Sequence, residues 1–169
     1  MDLFAPDPSA NLLPCDGITL YHGRIFTPTN ADHYLTALTA TLQWAHDEVV
    51  LYGRRITTAR KVAWYGEAPF AYTYSGTTKT ALPWTSELRE IKALVEKTTG
   101  TTYNSCLANL YHTGEEGMGW HSDDEKVMCK NTSIASISSG PSASSPSNTK
   151  PAPTSAPSPS SWNTAASWK

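Results

Sequence analysis

Four side chains in the stretch Asn104 to Lys126, NSCLANLYHTGEEGMGWHSDDEK, have the types and spacing of a reactive centre. Asn109 and Tyr111 stand two residues apart, and so do His121 and Asp123. On a strand, residues two apart share a face, so an amide and a phenol point one way together, as do an imidazole and a carboxylate. An imidazole and a carboxylate on one face are two of the three ligands of the facial triad that holds Fe(II) in non-haem oxygenases, with positions left open for a cosubstrate and oxygen. The third ligand is usually a second His arriving from far along the chain. Taken alone, an H-x-D triplet is equally well a surface turn.

The elements that must position these residues are legible in outline. GITLYHGRIF, residues 17–26, alternates apolar with polar as a half-buried strand does. Thr29 or Asn30 is placed to cap a helix running to about Ala45, with Tyr34, Leu35, Leu38 and Leu42 on one face. VVLYGRRITTARKVAWYG reads as two short strands around a turn at Gly53, followed by an aromatic loop. Pro83 leads into a second helix from Glu87 to about Thr98, ended by Gly100, whose Leu88, Ile91, Leu94 and Val95 form an apolar stripe of the kind that packs a core.

A chain of 169 residues has room for one domain of ordinary size. It has no apolar run of membrane-spanning length, and its first residues lack the basic start and apolar core of a signal peptide, so a cytoplasmic monomer without membrane contact is expected. Cys15, Cys106 and Cys129 match no zinc-binding spacing and fit reduced thiols. The formal net charge of -2 supplies no global attraction to nucleic acid, so any such binding needs a local patch. Arg54, Arg55, Arg60 and Lys61 form one candidate patch, though composition alone favours reading them as a hairpin with its charges in water. Trp64, Tyr65, Tyr72 and Tyr74 close one wall of a core or, alternatively, offer stacking faces.

NSCLANLYHTGEEGMGWHSDDE resembles the core of the AlkB-type 2-oxoglutarate- and Fe(II)-dependent nucleic-acid dealkylases, and the resemblance extends back through RKVAWYG to the MDLF start. It implies an oxidoreductase of DNA repair, with Fe(II) as metal, 2-oxoglutarate as cosubstrate and O2 as oxidant. His121 and Asp123 would bind the iron, Asn109 and Tyr111 would hydrogen-bond the 2-oxoglutarate, and Glu125 would contact the edge of the base. No further catalytic side chain is implied. The aromatic segments would form a lid over a flipped base, with Trp64, Tyr65, Tyr72 and Tyr74 against it and Arg60 and Lys61 on backbone phosphate. Trp64 and Tyr74 are the preferred stacking partners. The substrate would be an alkylated base such as 1-methyladenine or 3-methylcytosine in single- or double-stranded nucleic acid. Decarboxylation to succinate would accompany oxidation of the alkyl group, which leaves as an aldehyde.

The family pattern breaks near Ser138. No Asp, Glu or His follows Glu125, no Phe follows Phe70, and from Ser138 to Ser161 two-thirds of the positions are Ser or Pro. Such a composition builds no sheet core. The resemblance calls for further buried strands here, carrying the second iron-binding His and an Arg for the far carboxylate of 2-oxoglutarate. The genetic code accounts for their loss. Joining the last base of each codon to the first two of the next, the stretch from Ser138 to Lys150 permits Phe-Gly-Ala-Glu-Arg-Lys-Phe-Ala-Phe-Lys-His-Lys, and the stretch from Ser161 to Trp168 permits Leu-Glu-His-Gly-Ser-Leu-Leu. Both strings look like the family's continuation.

The fold class expected is therefore α+β: the N-terminal half of a double-stranded β-helix (jelly roll) with supporting helices, its C-terminal strands missing. Residues 1–138 would form an incomplete oxygenase domain, and residues 139–169 a disordered, out-of-frame Ser/Pro-rich tail. The chain would then be inactive for want of the distal His and Arg. Two other readings stand beside the enzyme: a non-catalytic nucleic-acid-binding module using Trp64, Tyr74 and the basic cluster, and a non-functional fragment.

Overall fold

The computed structural model describes residues 7–13, 15, 17–51, 53–74, 77–117 and 132–140, with backbone alone at 49, 51, 72–74 and 77. Within them the fold is mixed α+β. Helix α1 spans Pro28–Thr41 and helix α2 spans Ser86–Thr99. The strands are β1 (Ala45–Leu51), β2 (Arg54–Gly66), β3 (Ala71–Tyr74), β4 (Thr77–Thr80), β5 (Leu82–Pro83) and β6 (Ser105–Leu110).

Both helices begin on a threonine. Thr27 accepts the Asn30 N–H at 3.2 Å and Thr85 accepts the Leu88 N–H at 3.2 Å, each relieving one of the donors that a helix start leaves unpaired. Pro28 occupies the first turn of α1, where its missing N–H is harmless. The cap thus lies two or three residues earlier than Thr29 or Asn30, and the helix stops at Thr41 rather than near Ala45, which instead opens β1. Helix α2 ends as expected on Gly100, whose φ of 69° is the left-handed conformation that costs other residues a Cβ clash.

Strand β2 organises the sheet. It pairs antiparallel with β1 through the turn at Gly53 (φ 76°), antiparallel with β6, and parallel with the short β5 at Tyr65 and Gly66. Its residues 61 and 62 pair with both β1 and β6, so those two strands lie on opposite edges. Strands β3 and β4 form a separate antiparallel hairpin. The segment 17–26 is no strand: Ile18, Leu20 and Tyr21 are exposed, and only Ile25 and Phe26 reach the core. Its alternation suits a half-buried edge, but among the described residues no strand pairs with it, and a strand without a neighbour leaves its backbone groups to water.

Alternation along β2 and β6 gives the sheet two unlike faces. Ala63, Tyr65, Cys106 and Ala108 meet Leu38 and Leu42 of the α1 segment and Leu88, Ile91 and Val95 of α2, forming the main core with Tyr103. Ala135 and Ile137 also pack against this cluster, and the Ser133 hydroxyl lies 3.3 Å from that of Tyr103. Cys106 is fully buried there, and burial pushes its thiol well above the ordinary range, so it packs as an apolar group. The opposite face carries Arg60, Val62 and Trp64 from β2 beside Leu107 and Asn109 from β6, with Tyr111 following.

Candidate active site

The second face is polar at one end and apolar at the other. Val62 sits across from Asn109 and Trp64 across from Leu107. Asn109 on β6 and Tyr111 just past the strand's last residue are both buried, 6% and 4% exposed. Arg60 is 6% exposed and donates from Nη1 to Asn109 Oδ1. Its Nη2 donates to Asp47 Oδ2 at 3.0 Å, and Lys79 of β4 closes the cluster by donating from Nζ to Asp47 Oδ1.

A bulge brings Asp47 into this cluster. Between the pairs His46 with Lys61 and Glu48 with Thr57, a single residue of β1 faces three of β2. The Asp47 N–H donates to Thr58 Oγ1 at 3.1 Å, while that hydroxyl donates to the Arg60 carbonyl at 2.9 Å. The extra length of β2 is thereby folded into local hydrogen bonds, and the Asp47 carboxylate meets the Arg60 guanidinium. Burial of a guanidinium is costly without a partner charge and acceptors for its fork of donors, and Asp47 and Asn109 supply both.

Several expectations are corrected by this geometry. Arg60 does not stand at the surface to hold phosphate; its guanidinium is turned inward onto Asp47 and Asn109. Lys61, one residue on, lies on the other face of β2 opposite His46 and Leu110, so adjacent positions in a strand cannot serve as one basic grip. Trp64 and Tyr65 belong to a strand rather than a loop. Tyr65 faces the helices, is 3% exposed, and its hydroxyl accepts the Gln43 N–H at 2.9 Å; it is a core residue, not a stacking face for a base. Trp64 is half-buried on the Asn109 face. Arg55 is exposed and bridges Glu48 at 3.0 Å.

Tyr72 and Tyr74 are on β3, in register with Lys79 and Thr77 of β4. His121, Asp123 and Glu125 lie outside the described residues, as does Cys129. Sequence reasoning missed Asp47 and Lys79. The bulge that turns Asp47 inward has no signature in the residues themselves.

The donor set on this face suits a carboxylate ligand. Asn109 Oδ1 accepts from Arg60, and Tyr111 follows two positions on. Among the described residues no group of three His, Cys, Asp or Glu side chains is placed to hold a metal. A separate concavity of about 410 Å3 lies beside α2, lined by Glu67, Trp84, Arg89 and Lys92 among others. There Lys92 bridges Glu67 at 3.2 Å and Glu96 at 2.8 Å.

Residues 17–146 match the 2OG-Fe(II) oxygenase superfamily. The chain belongs to that family. Within it, this oxygenase domain is similar to the DNA oxidative demethylase ALKBH2 of Mus musculus, 33% identical over 142 residues that cover 82% of the chain and 59% of that protein. It is also similar to the alpha-ketoglutarate-dependent dioxygenase alkB homolog 3 of Homo sapiens, 36% identical over 137 residues, 80% of the chain and 47% of that protein. The same homolog of Bos taurus is 44% identical over 82 residues, 48% of the chain and 28% of that protein. These are AlkB-type dioxygenases, as the sequence motif implied. The chain spans about half the length of the curated relatives it matches. The family is one of Fe(II), 2-oxoglutarate and O2.

Proposed function

We propose that this chain carries the cosubstrate-binding and substrate-facing half of an oxidative dealkylase acting on alkylated bases, such as 1-methyladenine or 3-methylcytosine, in DNA or RNA. The observation that carries the reading is buried Asn109 on β6, held by Arg60, with buried Tyr111 just past the strand, in a chain of the 2OG-Fe(II) oxygenase family. Similarity to proteins named as DNA oxidative demethylases and alkB homologs supports the substrate class.

Asn109 donates from its amide, and Tyr111 from its hydroxyl, to the carboxylate and keto oxygens of 2-oxoglutarate. Arg60 keeps the Asn109 amide from flipping, and Val62 and Leu107 give the site an apolar wall that limits water. Trp64 offers its ring to the base, with Tyr72 and Tyr74 on the hairpin as further walls. His121 and Asp123 would hold the iron, and Glu125 the edge of the base. When bound, Fe(II) with 2-oxoglutarate and O2 supplies the oxidising power that hydroxylates the alkyl carbon, which then departs as an aldehyde while succinate forms.

The same proposal covers the C-terminal part. The sheet is read as part of a double-stranded β-helix whose later strands are lost to a shift of reading frame near Ile137 to Ser138, leaving residues 139–169 without an evolved role. Packing of Ala135 and Ile137 on the core supports in-frame sequence up to that point. Residues 126–169 contain no His, Asp or Glu, so the chain of residues 1–169 should bind metal weakly. Calorimetric titration with Mn(II) as a redox-inert stand-in tests this. The expected result is weak binding to residues 1–169 and a tight one-to-one site once one base is restored near the Ser138 codon. Tight binding by the unrestored chain would mean another ligand, such as His22, His33 or His112, completes the site, and the frame-shift reading would fall.

A further inference from the structure

Arg60, Asp47 and Lys79 form a chain of alternating charge that starts on the β3–β4 hairpin and ends at the Asn109 amide. Each link involves a different element: Lys79 is on β4, Asp47 on β1, Arg60 on β2 and Asn109 on β6. The Asp47 carboxylate is the hub, since one oxygen takes Arg60 and the other takes Lys79. Asp47 and Arg60 are both largely buried, with side-chain exposures of 18% and 7%, whereas Lys79 is 39% exposed. A carboxylate held by two cations cannot turn toward one without loosening its hold on the other. Movement of the hairpin that carries Lys79 is therefore felt at Arg60, and through Arg60 at the plane of the Asn109 amide.

We propose that Asp47 is a positioning residue that couples the seating of the β3–β4 hairpin to the orientation of the Asn109 side-chain amide. This rests on the reading of Asn109 as a contact for 2-oxoglutarate. The consequence is that the substrate side and the cosubstrate side of the site communicate: a ligand that presses the hairpin down tightens the hold on the dicarboxylate, and by linkage the dicarboxylate steadies the hairpin. Neither Asp47 nor Lys79 needs to touch the reacting atoms.

The test follows the Asn109 side-chain amide by 15N NMR in the full chain, its signal identified by its loss in Asn109→Asp. Lys79→Gln removes a charge that touches neither Arg60 nor Asn109 directly, at a position exposed enough to spare the fold. It should shift the Asn109 signal while the Ile91 and Val95 methyl signals of the core stay in place. Asp47→Asn should shift it further in the same direction, and the double variant should match Asp47→Asn alone, because the relay is already cut. An Asn109 signal indifferent to Lys79→Gln, or shifts that simply add, would overturn the coupling. In the second arm, 2-oxoglutarate is titrated with Mn(II) into the frame-restored chain and its Lys79→Gln variant, with an expected weakening of about fivefold in the variant, the lower end of ordinary coupling between sites. If 2-oxoglutarate binds the frame-restored chain and leaves its Asn109 signal unmoved, the cosubstrate assignment is wrong, and the first arm judges the relay independently.

Discussion

Trp64 and Tyr65 are neighbours in the chain and face opposite sides of β2, and their substitutions should separate accordingly. Tyr65→Phe removes the acceptor for the Gln43 N–H and should cost about 0.5–1.5 kcal/mol of folding stability, read as a lowered midpoint in urea, with no change in nucleic-acid affinity. Trp64→Ala should do the reverse: weaker capture of a methylated oligonucleotide, since stacking of one base on an aromatic ring is worth about 1–3 kcal/mol. If Tyr65→Phe abolished oligonucleotide binding in a folded protein, Tyr65 would be a substrate residue after all. The shared face of Asn109 and Tyr111 was legible in the sequence because a period of two needs only that the segment be a strand. The separation of Arg60 from Lys61 follows from the same period. It was missed because a cluster of like charges suggests a common surface more readily than a strand with two faces.

Among the elements, α2 was the most legible, since its cap, its apolar stripe and its Gly100 end all lie in the local sequence. Its joint with β6 was not, because it depends on Glu96, which looks like one surface acid among several. Glu96 accepts from Lys92 Nζ at 2.8 Å and from the Tyr103 N–H at 2.8 Å. Burial pushes its carboxyl up, but the bonds from Lys92 and Tyr103 outweigh this and hold it below the ordinary 4.5. A carboxyl depressed in the folded state gives stability that is complete above its unfolded pKa and lost as pH falls through the folded value. Stability should accordingly fall on acidification below about pH 4.5, and Glu96→Gln should flatten that fall while lowering stability at neutral pH. An unchanged acid limb in the urea midpoint of Glu96→Gln would show that Glu96 contributes nothing there. The segment 17–26 was misread for the opposite reason: alternation describes a residue pattern, whereas a strand also needs a partner, and partners are not written locally. The Asp47 bulge is a similar case, fixed by the mismatch between two strand lengths.

At the scale of the whole molecule, the α+β class and the family were legible because a long motif constrains both, and the family match over residues 17–146 agrees with it. The proposed frame shift near Ser138 rests on the genetic code alone, since the residues beyond it carry no alternation and no charge but Lys150 and Lys169. On that proposal, restoring the frame would add Lys, Arg and His residues and move the net charge upward from -2, the direction that binding a phosphate backbone requires. The restored chain should also show the dependence on salt that such binding brings, its affinity for a methylated oligonucleotide falling as ionic strength rises.

The central claim is that the Asn109 face serves a 2-oxoglutarate-dependent dealkylation. Its most direct test measures succinate and repaired base together, using the frame-restored chain with Fe(II), 2-oxoglutarate and a single-stranded oligonucleotide carrying 1-methyladenine. The account predicts that both products appear in step, that His121→Ala or Asp123→Ala abolishes both, and that Asn109→Ala raises the KM for 2-oxoglutarate. A restored, folded protein that binds the methylated oligonucleotide and never forms succinate would contradict it and leave a nucleic-acid-binding module in its place.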